Sequence, residues 1–166
     1  LWVVGGRPAD GRGVCHLAVH APFGAQVNQP WSIVLAARLR ETYGVDVQAM
    51  HADDGIVLRL PETEEAPSGA AAVFDPAEVE PAVQAEVGGS ALFASRFREC
   101  AARALLLPRR NPTRRTPLWQ QRQRSAQLLS VAAQVGSFPI VLETMREVLH
   151  DVFAVPGLGE QMTERA

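Results

Sequence analysis

The chain has 166 residues, 47% of them hydrophobic, and 16 basic against 18 acidic residues for a formal net charge of −2. That content can build a single core, so the chain reads as globular rather than disordered. No apolar run approaches the roughly 18 residues a membrane-spanning helix needs, and no basic-then-apolar leader opens the chain. Membrane insertion and secretion are therefore unsupported, and a cytoplasmic location is expected. Cys15 and Cys100 lie far apart and neither belongs to a C-x-x-C pair, which favours reduced, buried thiols over a disulfide framework. The opening at Leu1, directly in strand-like apolar sequence, reads as part of something longer.

In chain order, Val14 to His20 alternates, with Cys15, Leu17 and Val19 on one side and His16, Ala18 and His20 on the other, the pattern of a half-buried strand. A helix follows, with Asn28 or Gln29 expected as N-cap, Pro30 at the first helical position and Gly44 as the stop. Its stripe of Trp31, Val34, Leu35 and Leu39 recurs at helical spacing and is expected to pack on the sheet. Val45 to Met50 and Gly55 to Leu60 are two more strands, and Asp54-Gly55 between them signals a tight hairpin. Pro61 to Ala72 is acidic, then rich in Pro, Gly, Ser and Ala, and reads as a surface loop.

Beyond that loop the sequence is helical. Asp75 caps a helix opened by Pro76, with Glu78 placed to return a bond. Ser90 caps a second, whose Phe93, Phe97, Cys100, Ala101, Ala104 and Leu105 share a face before Pro108 ends it. A third begins after Thr116 and Pro117 and runs to Gly136, and a fourth follows Ser137 to about Phe153. Strands and helices are segregated, so the expected class is α+β. The expected division is a strand-helix-hairpin subdomain over 1–60, a loop over 61–74, a helical subdomain over 75–158 and a tail over 159–166.

No catalytic or metal motif emerges. His16 and His20, four apart on a strand, sit roughly 13 Å from each other, too far to chelate one ion. The Asp-Gly turn accounts for Asp53 and Asp54 beside His51, and Gly5-Gly6 and Gly11-Arg12-Gly13 lack the spacing of a phosphate loop.

Charge carries the functional signal. Arg96 to Arg124 holds nine arginines against one acid, Glu99, whereas Glu41 to Glu86 holds eleven acids and one arginine. All sixteen basic residues are arginine, whose planar, permanently charged group suits phosphate. Arg109, Arg110, Arg114 and Arg115 occupy a proline-bounded connector, and Arg122 and Arg124 follow early in a helix, where they oppose its dipole. One consequence is a phosphate-tracking surface with salt-sensitive binding; the other is a set of charges solvated or paired within the molecule. Binding to single strands usually adds an aromatic platform. Trp31 and Trp119 qualify, although each is also explained as a core residue, Trp119 the more so because Leu118 and Leu128 read as a buried corner.

Val87-Gly88-Gly89-Ser90-Ala91-Leu92-Phe93-Ala94-Ser95-Arg96-Phe97-Arg98-Glu99-Cys100, Arg115-Thr116-Pro117-Leu118-Trp119-Gln120-Gln121-Arg122-Gln123-Arg124 and Ser137-Phe138-Pro139-Ile140-Val141-Leu142-Glu143 closely resemble the Lhr family of large helicase-related proteins. Upstream, His20-Ala21-Pro22-Phe23-Gly24, Asn28-Gln29-Pro30-Trp31 and Asp53-Asp54-Gly55-Ile56-Val57 look like the same family in the same order. The resemblance covers about Val14 to Leu158. It implies the domain after the winged helix of an ATP-dependent 3′-to-5′ DNA helicase. ATP and Mg would act in the paired RecA-like motor domains, so this segment would be non-catalytic itself. The implied partners are single-stranded DNA or an RNA:DNA hybrid and the RecA-like and winged-helix domains, with a link to DNA repair. The resemblance implies a base-stacking tryptophan, with Trp31 the position expected to fill it, and the charge pattern leads to the expectation that some of Arg96, Arg98, Arg109, Arg110, Arg114, Arg115, Arg122 and Arg124 contact phosphates. The alternative is a scaffold that docks the motor and winged helix without touching DNA.

Overall fold

The structure, a computed structural model, describes residues 2–6, 14–61, 67–108, 117–135 and 137–164. Four antiparallel strands form one sheet: β1 (Trp2–Gly6), β2 (Val14–His20), β3 (Gln48–Ala52) and β4 (Gly55–Pro61), in the order β1-β2-β4-β3. The register runs from Val14↔Pro61 to His20↔Gly55 between β2 and β4. Cys15, Leu17, Val19, Ile56, Leu58 and Leu60 are accordingly buried, while His16, His20, Val57 and Arg59 are exposed, because successive side chains alternate between faces. The α+β expectation holds.

The hairpin is real but its glycine plays a different part. Asp53 and Asp54 form the two-residue turn, and Gly55 already pairs within the strand. A Cβ at position 55 would lie 2.5 Å from the Val19 carbonyl oxygen, so the missing side chain permits close approach of β4 to β2. β3 also begins later than expected, at Gln48 rather than Val45.

Helix α1 (Ala25–Tyr43) starts before the predicted cap. Gly24, at φ 84, precedes it, and Pro30 lies inside. Two contacts make this possible. Asp53 Oδ1 accepts the Ala25 N–H at 2.9 Å, serving as a cap from outside the helix. Pro30 has no N–H for the Gln26 carbonyl, and that carbonyl accepts the Ala154 N–H instead, at 2.9 Å. The predicted stop holds: Gly44 is left-handed at φ 66.

The remaining elements are a 3-10 turn (Gly69–Ala72) and helices α2 (Pro76–Val87), α3 (Ala91–Arg103), α4 (Leu118–Ala132), α5 (Pro139–Glu147) and α6 (Val155–Thr163), with a π turn over Val148–Val152. The chain divides into two compact units, 1–86 with 152–166, and 87–151. This corrects the expected division at 61–74 in two ways. Helix α2, with Val79 and Val83 buried, belongs to the sheet-bearing unit. The expected tail over 159–166 is largely α6, whose Leu158 and Met162 are wholly buried and which packs on α1. Met162 Sδ accepts the Phe74 N–H at 3.5 Å. Among the described residues no helix is long and apolar enough to cross a membrane.

Candidate nucleic-acid interface

In the 87–151 unit, Ser90 Oγ accepts the Phe93 N–H at 3.1 Å and caps α3, as a serine at that position should. One face of α3, Phe93, Phe97, Cys100 and Ala101, is buried. Phe97 and Ala101 meet Ala132 of α4, with Leu128, Leu129, Phe138, Ile140 and Val141 around them. The helix ends sooner than predicted. Arg103 is its last residue, Leu105 takes φ 60, and Ala104 and Leu105 are exposed.

Beside this core runs a second stripe of α3, Ala91, Ala94, Ser95 and Arg98, at the i, i+3, i+4, i+7 spacing of a single face. With Arg122, Ser125, Ala126, Leu129, Ser130 and Ala133 of α4 it lines a cleft of about 700 Å³. Most of these side chains are small, so the floor lies close to both backbones, and among the described residues the only charged groups in the lining are two guanidiniums. Arg98 Nη2 lies 3.5 Å from Ser95 Oγ. Such a cleft can accept an anion that is narrow and extended, since arginine offers several donors in one plane.

The predicted arginines other than Arg98 separate into three groups. Arg96 pairs with Glu99 on its own helix, Nη1 to Oε2 at 3.1 Å. Arg122 and Arg124 are exposed, and among the described residues neither is in an ion pair. Arg109, Arg110, Arg114 and Arg115 lie outside the described residues. Arg103, not singled out from sequence, pairs with Glu147 of α5 and also reaches Cys100 Sγ at 3.2 Å. Burial pushes the Cys100 thiol above its ordinary value, the reverse of an activated nucleophile. Hydrogen bonds from Arg146 hold the Glu143 carboxyl below its ordinary value, which marks a surface ion pair rather than a general acid.

Trp31 requires a correction. Its ring is 0% exposed, and its Nε1–H donates to the Ala72 carbonyl at 2.9 Å. A ring enclosed on both faces has none left for a base, and its polar tip is satisfied as buried indoles require. Nearby, Arg38 lies 3.4 Å over the Phe74 ring and donates to Ala71 and Val73 carbonyls at 3.2 and 2.6 Å. Helix α1 thus grips the Ala71–Phe74 segment, and Trp31 is part of that grip.

Trp119 is the opposite case: predicted as a buried corner, it is 62% exposed, and Leu118 beside it is 65% exposed. The sequence held the signal. Leu128 lies nine residues on, about two and a half helical turns, so it occupies the far side of α4 from Trp119.

Among known proteins, the family described as DEAD/H associated matches residues 7–166. This chain belongs to the DEAD/H-associated family. Two relatives of this family member are Lhr helicases also described as uracil glycosylases, "probable" in the first. That of Mycolicibacterium smegmatis is 56% identical over 157 residues, and that of Escherichia coli is 46% identical. In each, the match covers 94% of this chain and 10% of the relative. An ATP-dependent helicase Lhr-Core of Saccharolobus solfataricus is 28% identical over 145 residues, covering 86% of this chain and 17% of the relative. The Mycobacterium smegmatis helicase Lhr, solved bound to ssDNA and AMP-PNP, superposes with a TM-score of 0.81 at 55% identity. That match covers 93% of this DEAD/H-associated chain and 20% of the solved one.

Proposed function

We propose that this chain is the DNA-engaging accessory domain of an Lhr-type ATP-dependent 3′-to-5′ DNA helicase. It contacts single-stranded DNA and helps couple ATP hydrolysis to translocation, while ATP and Mg act in motor domains elsewhere in the parent. The observation that carries this reading is the α3–α4 cleft, where Arg98 and Arg122 are the only charged lining residues among those described. The solved relative bound to ssDNA and AMP-PNP supports the same role. Arg96 and Arg103, each held by a glutamate, supply the weaker phosphate contacts or none.

A salt titration of single-strand binding tests the proposal. Phosphate engagement requires log affinity to fall linearly with log salt, by about 0.7 per phosphate contacted. Replacing Arg98 and Arg122 together by alanine is expected to flatten that slope by about one to one and a half, with the fold intact by circular dichroism. An unchanged slope in the double variant would reject the cleft as the contact. Absence of any salt-dependent binding would favour a scaffold that docks the motor and winged helix.

A further inference from the structure

Strand β3 stands at one edge of the sheet, paired with β4 on one side, and every residue from Gln48 to Ala52 is exposed. Which of its backbone groups that pairing uses can be read from the neighbouring strand. The Ala21 N–H donates to the Asp54 carbonyl at 2.9 Å, in line with the β2–β4 register. Hydrogen-bonded pairs alternate along an antiparallel ladder, so Ile56, Leu58 and Leu60 bond to β2, and Gly55, Val57 and Arg59 turn their groups toward β3. Their register partners there are Ala52, Met50 and Gln48. The N–H and C=O groups of Ala49 and His51 therefore point away from the sheet, and no described residue bonds to them.

We propose that β3 is a strand-addition site, and that its occupant is an extended segment from elsewhere in the parent polypeptide; this takes from the reading above only that the chain is part of a longer protein, and is independent of the cleft. Native sheet edges are usually blunted by a charge, a proline or a bulge. Gln48-Ala49-Met50-His51-Ala52 contains no Lys, Arg, Asp, Glu or Pro, and its register with β4 runs without a bulge. The open donors and acceptors recur at every second residue, about 6.8 Å apart. Another extended backbone matches that spacing, as it does wherever a peptide adds to a sheet edge. A nucleic-acid strand does not, because β3 offers no arginine or lysine to its phosphates. Met50, 64% exposed, lies opposite Val57, 37% exposed, in the register, so the added segment is expected to set an apolar side chain beside Met50. The length of the relatives favours an occupant from the same polypeptide. This chain matches 10% of each Lhr helicase relative, which leaves most of such a protein to supply the strand.

The test is amide hydrogen exchange on the full-length parent, resolved within residues 48–52. The Ala49 and His51 amides are expected to exchange about a hundredfold or more slower than in an unstructured chain, as the ladder-bonded Met50 amide does. His51→Pro removes an outward donor and no bond to β4, a change that edge strands tolerate. It should return the Ala49 amide to roughly the unstructured rate while Met50 stays protected. Met50→Lys leaves every backbone group in place but puts a charge where the apolar side chain would sit, and should release Ala49 and His51 together; it decides the matter if His51→Pro also frees Met50. Fast exchange of Ala49 and His51 in the wild-type parent overturns the proposal. Protection of Ala49 that survives both substitutions overturns it as well, because a covering helix or loop then excludes water without pairing. Protection that appears only as protein concentration rises identifies a second copy on the edge and overturns the assignment to the same polypeptide.

Discussion

The two helix-borne tryptophans, one in each unit, divide the molecule's labour. Around Trp31 everything is closed: the ring is buried, its nitrogen is bonded, and Arg38 nearby is spent on two backbone carbonyls and a phenyl face. Around Trp119 the surface is open. Seven of the nine large hydrophobic side chains exposed among the described residues lie in the 87–151 unit, although it is the smaller one. Concentrated exposure of that kind marks interaction surfaces more often than stability. The sheet-bearing unit thus uses its special residues to hold itself together, whereas the helical unit leaves its own available.

The largest effect that can break this contrast is Trp31→Ala. Its removal should cost about 3–5 kcal/mol of stability, measured by urea denaturation, whereas Trp119→Ala should stay within about 0.5 kcal/mol of wild type. Equal losses from the two substitutions would erase the distinction. Next is Asn28→Ala. Asn28 Nδ2 donates to the Ala21 and Ala52 carbonyls at 2.7 and 2.8 Å, tying the N-terminal part of α1 to the end of β2 and the hairpin. Losing it strands those carbonyls, at about 1–3 kcal/mol. The same denaturation measurement checks it, and a neutral result would mean water replaces the amide. The smallest is Ser90→Ala, which removes the α3 cap and should cost about 1 kcal/mol. Hydrogen exchange should localise that loss to the first turn of α3, below the Arg98 cleft residue, sharpening how far the helical unit's stability is separable from its surface.

Much of the architecture was legible because local rules governed it. The alternation of Cys15, Leu17 and Val19, the Asp75 and Ser90 caps and the left-handed Gly44 each depend on neighbours in sequence, and all appear in the fold. The start of α1 was misread for a physical reason. Pro30 is a good first helical residue, and nothing local reveals that Asp53 and Ala154, both distant in sequence, satisfy the backbone of an earlier start. The candidate site was half legible: the arginine excess is plain in the composition, but which guanidiniums share a cleft is not. Arg96 and Arg98, two residues apart, part company because one lies beside Glu99 and the other faces α4.

By itself, then, the sequence determined the α+β class and the presence of a concentrated positive charge, since periodicity, punctuation and charge count are properties of the chain, and its ordered strings carried the family resemblance. Tertiary structure alone decided that Trp31 is enclosed and which guanidiniums share a cleft, because burial and proximity depend on what other segments bring to a side chain. Ala72, 41 residues from Trp31, closes over its nitrogen, and the packing of α3 beside α4 brings Arg98 and Arg122 to one cleft.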